Sequence, residues 1–191
     1  MTKSIMLVGV GGQGTILASK LLTIGLMQEG YDVKMSEIHG MSQRGGSVSS
    51  QIRYSKDKVY SPVIEIGGAD MIVSFEKVEA LRYLKYLKEG GIIVANNYKM
   101  ESVATTTGKA EYKVAEVDEK LKELHAKVIN AADKAVELGN EKVMNIILLG
   151  TVIKGMHLEE IDWEQIIKDN VKEKFIDINI RALHEGMALV S

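Results

Sequence analysis

Apolar and polar positions follow two periods along this chain, and the switches between them mark the elements. Residues 5–8 (Ile5, Met6, Leu7, Val8) form a short continuous apolar run of the kind that fills a central parallel strand. A glycine cluster at 9–14 follows. Residues 15–29 then read as a helix, with Leu17, Leu21 and Ile24 on one face and Gly30 as its stop. Residues 33–36 read as a second strand, so the start of the chain makes a β-loop-α-β unit. Residues 37–46 have no periodicity and read as a loop. Val48, Ser50, Ile52 and Tyr54 share one face of a half-exposed strand over 47–54.

Further along, a buried strand is expected over 71–75. A helix is expected over 77–88, carrying Val78, Leu81, Leu84 and Leu87 and stopped by Gly90-Gly91, and then a buried strand over 91–95. Residues 101–113 are polar and read as surface loop, while 112–117 and 127–130 read as short strands. The charged runs at 116–123 and 168–174 read as solvated helix faces. Helices are expected over 131–138 and, strongly apolar, over 143–154. Asp162 looks like an N-cap, with Gln165 three residues on and Trp163, Ile166 and Ile167 turned inward. A last helix over 172–187 places Phe175, Ile178 and Ala182 on one face. Nothing repeats, and no linker divides the chain. The expected fold is α/β: a single doubly wound Rossmann-like domain over residues 1–191 with a mostly helical C-terminal third.

Composition narrows the function. The 191 residues include 46% apolar and 26% charged positions, ordinary for a globular domain with a sizeable core. A formal net charge of -2 points to neither nucleic acid nor an anionic membrane as partner. There is no cysteine, which excludes disulfides, thiolate-held iron–sulfur clusters and cysteine zinc sites. No apolar run is long enough for a transmembrane helix, and the apolar start at residues 5–8 reads as a strand rather than a signal peptide. A cytoplasmic location is the expectation.

The first candidate for chemistry is the glycine cluster. Gly9-Val10-Gly11-Gly12-Gln13-Gly14 fits G-x-G-x-x-G between a strand and a helix opened by Thr15. Glycines allow a tight turn and close backbone approach, and a helix N-terminus favours an anion. Glu37, after the second strand, stands near where a ribose-binding acid belongs in an NAD or FAD site. The bland reading is that these glycines only let the first helix pack tightly on the sheet.

The second candidate is Glu37-Ile38-His39-Gly40-Met41-Ser42-Gln43-Arg44-Gly45-Gly46-Ser47-Val48. It places an imidazole, hydroxyls, an amide and a guanidinium after a strand, where ligands bind in open α/β sheets. Arg44 offers five donors to a carboxylate or phosphate. The Gly45-Gly46 pair permits close contact with a ligand or partner.

With these segments in view, the chain resembles the gamma-type domain of 2-oxoacid:ferredoxin oxidoreductases. Gly11-Gly12-Gln13-Gly14 and Ser42-Gln43-Arg44-Gly45-Gly46 carry the resemblance. Ser61-Pro62, Gly68-Ala69-Asp70, Phe75-Glu76, Glu79-Ala80-Leu81-Arg82 and Gly90-Gly91 extend it. So do Asn96, Asn145, Leu148-Leu149-Gly150, Asn179, Ala182 and Gly186. Phe75-Glu76 looks most similar to the indolepyruvate type. Residues 101–113 do not match the family pattern, and the prolines expected there are missing.

The resemblance implies a small subunit that assists oxidative decarboxylation of a 2-oxoacid to an acyl-coenzyme A. It also implies a larger partner subunit carrying thiamine diphosphate and iron–sulfur clusters, with ferredoxin reduced by the complex. This chain lacks cluster ligands and the Gly-Asp-Gly pattern for thiamine diphosphate, so it is not expected to bind those cofactors or to turn over alone. Coenzyme A is the ligand it would contact. Gly9, Gly11, Gly12, Gln13, Gly14, Thr15, Ser42, Gln43, Arg44 and Gly45 are the expected contact residues. A self-sufficient NAD- or FAD-binding oxidoreductase stays as the alternative.

Elsewhere, Glu76 reads as a helix cap with a site-facing role as the second option. Asp70 reads as a turn cap and Asn179 as a buried structural amide. His125, His157 and His184 are scattered, without metal-ligand spacing.

Overall fold

The computed structural model describes residues 1–40, 45–100 and 114–190. Six strands form one sheet: β1 (Lys3–Val10), β2 (Asp32–His39), β3 (Ser47–Ser55), β4 (Ala69–Ser74), β5 (Leu87–Asn96) and β6 (Lys127–Ile129). Their order is β2-β3-β1-β4-β5-β6. The run β1-β4-β5-β6 is parallel, whereas β3 lies antiparallel to both β1 and β2.

Seven helices accompany the sheet among the described residues: α1 (Thr15–Gln28), α2 (Lys77–Arg82), α3 (Val114–Glu123), α4 (Ala131–Glu137), α5 (Met144–Gly155), α6 (Trp163–Asn170) and α7 (Ile176–Ala188). Alternation along β1 and β4 explains why both faces are covered. Ile5, Leu7, Met71 and Val73 enter the core beneath α1 and α4 to α7. Met6, Val8 and Ile72 face the opposite layer, where Ile64, Tyr83 and Tyr86 cover them. Beside that layer, Ala80 of α2 and Val117 and Leu121 of α3 pack on Ile93 and Ala95. The expected α/β fold with helices on both faces and a helical C-terminal third is therefore present.

Several local expectations need correction. β2 runs on to His39, so the expected loop at 37–46 begins later. β3 is buried on both faces rather than half-exposed, because it is an interior strand; Ser49 and Gln51 are as buried as Ile52. The helix expected over 77–88 ends at Arg82. A 3₁₀ turn (Leu84–Tyr86) follows and β5 starts at Leu87, so Gly90-Gly91 is an irregularity within a strand rather than a helix stop. Residues 114–117, expected as strand, open α3. Residues 101–113, read as surface loop, and the strand start expected at 112 lie outside the described residues.

The glycines and caps behave as the pattern requires. Gly30 takes a positive φ of 75° after α1, and the Asp162 carboxylate accepts the Gln165 amide at 3.0 Å to start α6. The last helix is shorter than expected: residues 173–175 form a 3₁₀ turn, and Phe175 is partly exposed.

Candidate functional site

The parallel strands β1, β4, β5 and β6 all end on the same edge of the sheet. The chain leaves β1 for α1 on one face and β4 for α2 on the other. These strands are neighbours, so their ends form the switch point at which open α/β sheets place ligands. Both glycine segments meet at this edge. β2 and β3 pair as a hairpin, and just before β3 the Gly46 carbonyl accepts the Gly11 amide at 2.9 Å.

In the first segment, Gly9 is the penultimate residue of β1 and Gly11 is buried beneath the turn, while Gly12 is exposed. Gly12 and Gly14 have φ of 103° and 82°, left-handed conformations that suit glycine. Gln13 folds inward. Its Oε1 accepts the Val10 amide at 2.8 Å, and its Nε2 donates to the Phe75 carbonyl at 3.1 Å. A Cβ at Gly9 would stand 2.7 Å from that same Oε1, so Gly9 makes room for the side chain. Gln13 thus stitches the end of β1 to the end of β4. The Gly14 carbonyl accepts from Asn145 Nδ2 at 3.3 Å, which ties the loop to the first turn of α5. Gly14 is the N-cap of α1 and supplies no side-chain cap to the first-turn amides, and Thr15 is buried at the first helical position.

In the second segment, the Gly40 amide donates to the Ser47 carbonyl at 2.8 Å and closes the hairpin neck. Gly45 has a φ of 83°. The expected contact residues Ser42, Gln43 and Arg44, with Met41, lie outside the described residues, between these two anchors. The Ser47 hydroxyl donates to Glu79 Oε2 and lies 3.2 Å from the Tyr83 hydroxyl. Ser47 and Glu79 were not singled out as site residues from sequence. Both fall in segments that the sequence marks, but nothing local pairs them, because 32 residues separate the two.

The family model described as pyruvate ferredoxin/flavodoxin oxidoreductase matches residues 4–189. The chain belongs to this family. A relative from Thermococcus kodakarensis, described as indolepyruvate oxidoreductase subunit IorB, is 38% identical over 190 residues, covering 96% of this chain and 94% of the relative. The ketoisovalerate oxidoreductase subunit VorA of Methanothermobacter marburgensis is 27% identical; the match covers 95% of this chain but 35% of that longer one. The fold is that of the keto/oxoacid ferredoxin oxidoreductase gamma subunit from Geobacter sulfurreducens, at a TM-score of 0.71, 21% identity and 98% coverage of both chains. A 2-oxoglutarate:ferredoxin oxidoreductase from Magnetococcus marinus, solved with 2-oxoglutarate, coenzyme A and succinyl-CoA bound, gives 0.75 at 19% identity. That match covers 99% of this chain and 31% of the solved one.

The G-x-G-x-x-G pattern is not joined here by an acid on a strand next to β1. β3 stands between β1 and β2, which puts Glu37 two strand spacings, roughly 10 Å, from β1 instead of one. Glu37 also accepts from the Ser19 hydroxyl of α1 at 3.2 Å. Both the sheet order and this contact remove Glu37 from the place of a ribose-binding acid.

Among the other residues of the family pattern, Glu76, Asn96 and Asn179 act as framework. Glu76 is buried and caps α2, accepting the Val78 and Glu79 amides at 2.8 and 3.1 Å. Asn96 is fully buried. It donates to the Phe75 carbonyl at 3.3 Å and accepts the Ala131 amide at 3.0 Å.

Asp70 lies at the opposite edge of the sheet and binds the Ser4 amide at 2.9 Å rather than capping a turn. Burial opposes its ionisation, but the Ser4 amide and the Lys3 and Lys88 ammonium groups outweigh that and hold the carboxyl below its ordinary value. Asn179 is buried and donates to the Phe175 carbonyl at 2.7 Å, a structural bond. Among the described residues no group of three or more His, Asp or Glu side chains is arranged to hold a metal ion, and no helix is long and apolar enough to cross a membrane.

Proposed function

We propose that this chain is the small subunit of a ferredoxin-dependent 2-oxoacid oxidoreductase of the indolepyruvate type. The observation that carries this is the 38% identity, over nearly the full length of both chains, to a subunit of that name. In the overall reaction a 2-oxoacid loses carbon dioxide, its acyl carbon forms a thioester with coenzyme A, and two electrons pass to ferredoxin. Thiamine diphosphate, when bound, supplies the electron sink that such a decarboxylation needs. The residues of this chain do not fit that group or an iron–sulfur cluster: there is no cysteine and no Gly-Asp-Gly segment. Those cofactors belong to a larger partner subunit.

The contribution of this chain is to complete the site at the interface and to hold a phosphate of coenzyme A. The donor set at the sheet edge suits an anion: a glycine turn and a helix start whose first-turn amides have no side-chain cap. In sequence, Arg44 falls between Gly40 and Gly46, whose backbone bonds anchor the adjoining hairpin. Gly12 and Gly14 let the backbone turn there, while Gln13 and Asn145 fix the turn from beneath.

The test is Arg44→Ala in the assembled enzyme. A charge-assisted bond worth roughly 1.5–3 kcal/mol predicts a rise of about tenfold or more in KM for coenzyme A, with KM for the 2-oxoacid unchanged. Loss of assembly, or a parallel rise in both constants, would count against the coenzyme A assignment.

A further inference from the structure

Glu79 lies on α2, on the face of the sheet opposite α1, and its side chain is 2% exposed. A buried carboxylate is costly unless its oxygens are well used. One oxygen receives Arg82 Nε at 3.0 Å, from a guanidinium that is half exposed. The other receives the Ser47 hydroxyl, which also lies 3.2 Å from Tyr83 of the same helical region. Ser47 is the first residue of β3 and therefore the foot of the hairpin. Its own carbonyl takes the Gly40 amide at 2.8 Å, and the carbonyl before it, from Gly46, takes the Gly11 amide at 2.9 Å. Three anchors thus converge within two residues: one to the other strand of the hairpin, one to the glycine loop, and one to α2. The first two are backbone bonds that any sequence makes in this geometry. The third depends on two side chains, and a charged acceptor makes it the strong one.

We propose that Glu79 is a positioning residue: by gripping Ser47 it fixes the neck of the β2–β3 hairpin against the glycine loop, and so holds the Gly11–Gly14 turn of the anion site in place. The consequence for coenzyme A rests on the functional reading above; the clamp itself does not. Glu76, three residues before, caps α2 and holds the start of the helix that carries Glu79. The grip is therefore transmitted from a capped helix rather than from a free side chain.

The experiment uses hydrogen exchange on the full chain, together with kinetics of the assembled enzyme, for Glu79→Gln, Ser47→Ala and the double variant. Loss of one charge-assisted bond should speed exchange at the Gly11 and Gly40 amides by roughly tenfold while leaving Ile72 and Val94 protected. The double variant should add little, because both changes remove the same contact. In the assembled enzyme KM for coenzyme A should rise, by roughly three- to tenfold, more than KM for the 2-oxoacid. Ser47→Thr, which keeps the hydroxyl, should restore both readouts.

Unchanged exchange at Gly11 and Gly40 would overturn the clamp, as would faster exchange throughout the sheet, which marks a residue of the general fold. Faster neck exchange with every KM unchanged would overturn the positioning role. Faster neck exchange with a rise in the 2-oxoacid KM instead would keep the clamp and overturn the coenzyme A assignment.

Discussion

At Asn96 a single buried amide ties four elements together. It ends β5, donates to the carbonyl that follows β4, lies 3.2 Å from Met144 Sδ at the start of α5, and accepts the first amide of α4. Ala131 is fully buried, so without Asn96 its amide would have neither protein nor water as partner. Asn96→Leu keeps the approximate shape and removes these bonds. It should cost roughly 2–3 kcal/mol and lower Tm by about 5–10 °C in a thermal melt. Asn97→Ala, at an exposed bond to Asn130, should lower it by no more than about 2 °C. Equal effects from the two substitutions would show that burial is not what makes Asn96 matter.

The same scale shows where residue-level reading stops. The glycines were legible as a tight strand-to-helix turn, and Glu76 as a cap, because each needs only its neighbours in sequence. The inward fold of Gln13 was not legible. Its second partner, the Phe75 carbonyl, lies 62 residues away, and no local pattern marks an amide that turns beneath its own loop.

Between elements, the C-terminal helices pack closely enough that two glycines decide the geometry. α5 and α7 cross where Gly150 and Gly186 face each other. A Cβ on Gly186 would lie 1.9 Å from the Ile147 carbonyl oxygen, a contact that requires the helices to part. Gly186→Val should therefore cost on the order of 3 kcal/mol, visible as a Tm lower by roughly 6–12 °C. A melt within about 2 °C of the parent chain would mean that the helices separate freely.

Apolar spacing closed by Gly30 marked α1, a continuous apolar run marked α5, and the Asp162 cap ahead of Trp163, Ile166 and Ile167 marked α6. Periodicity failed where helical spacing runs past the end of a helix. Leu84 and Leu87 continue the α2 pattern, yet the chain tightens into a 3₁₀ turn and Leu87 pairs with Ala69 of β4. Strand pairing decides that boundary, and the partner strand is not visible in a local window. The exposure of β3 was misread for a related reason: serines and a glutamine suggest a solvent face, but an interior strand buries both.

For the whole molecule, the class of fold followed from alternating strands and helices, while the order of strands did not. The antiparallel β3 enters between β1 and β2, so Glu37 stands one strand further from the glycine turn than a dinucleotide fingerprint requires. That placement, the absence of cysteine and the full-length match to oxidoreductase subunits all point to a chain that completes a larger enzyme rather than acting alone. The most direct check is 2-oxoacid-dependent dye reduction, with coenzyme A present, by this chain alone, by the larger subunit alone, and by the two combined. The combined subunits should turn over indolepyruvate or a related arylpyruvate, and this chain alone should give no turnover. Turnover by this chain alone at the rate of the combined enzyme would contradict the account.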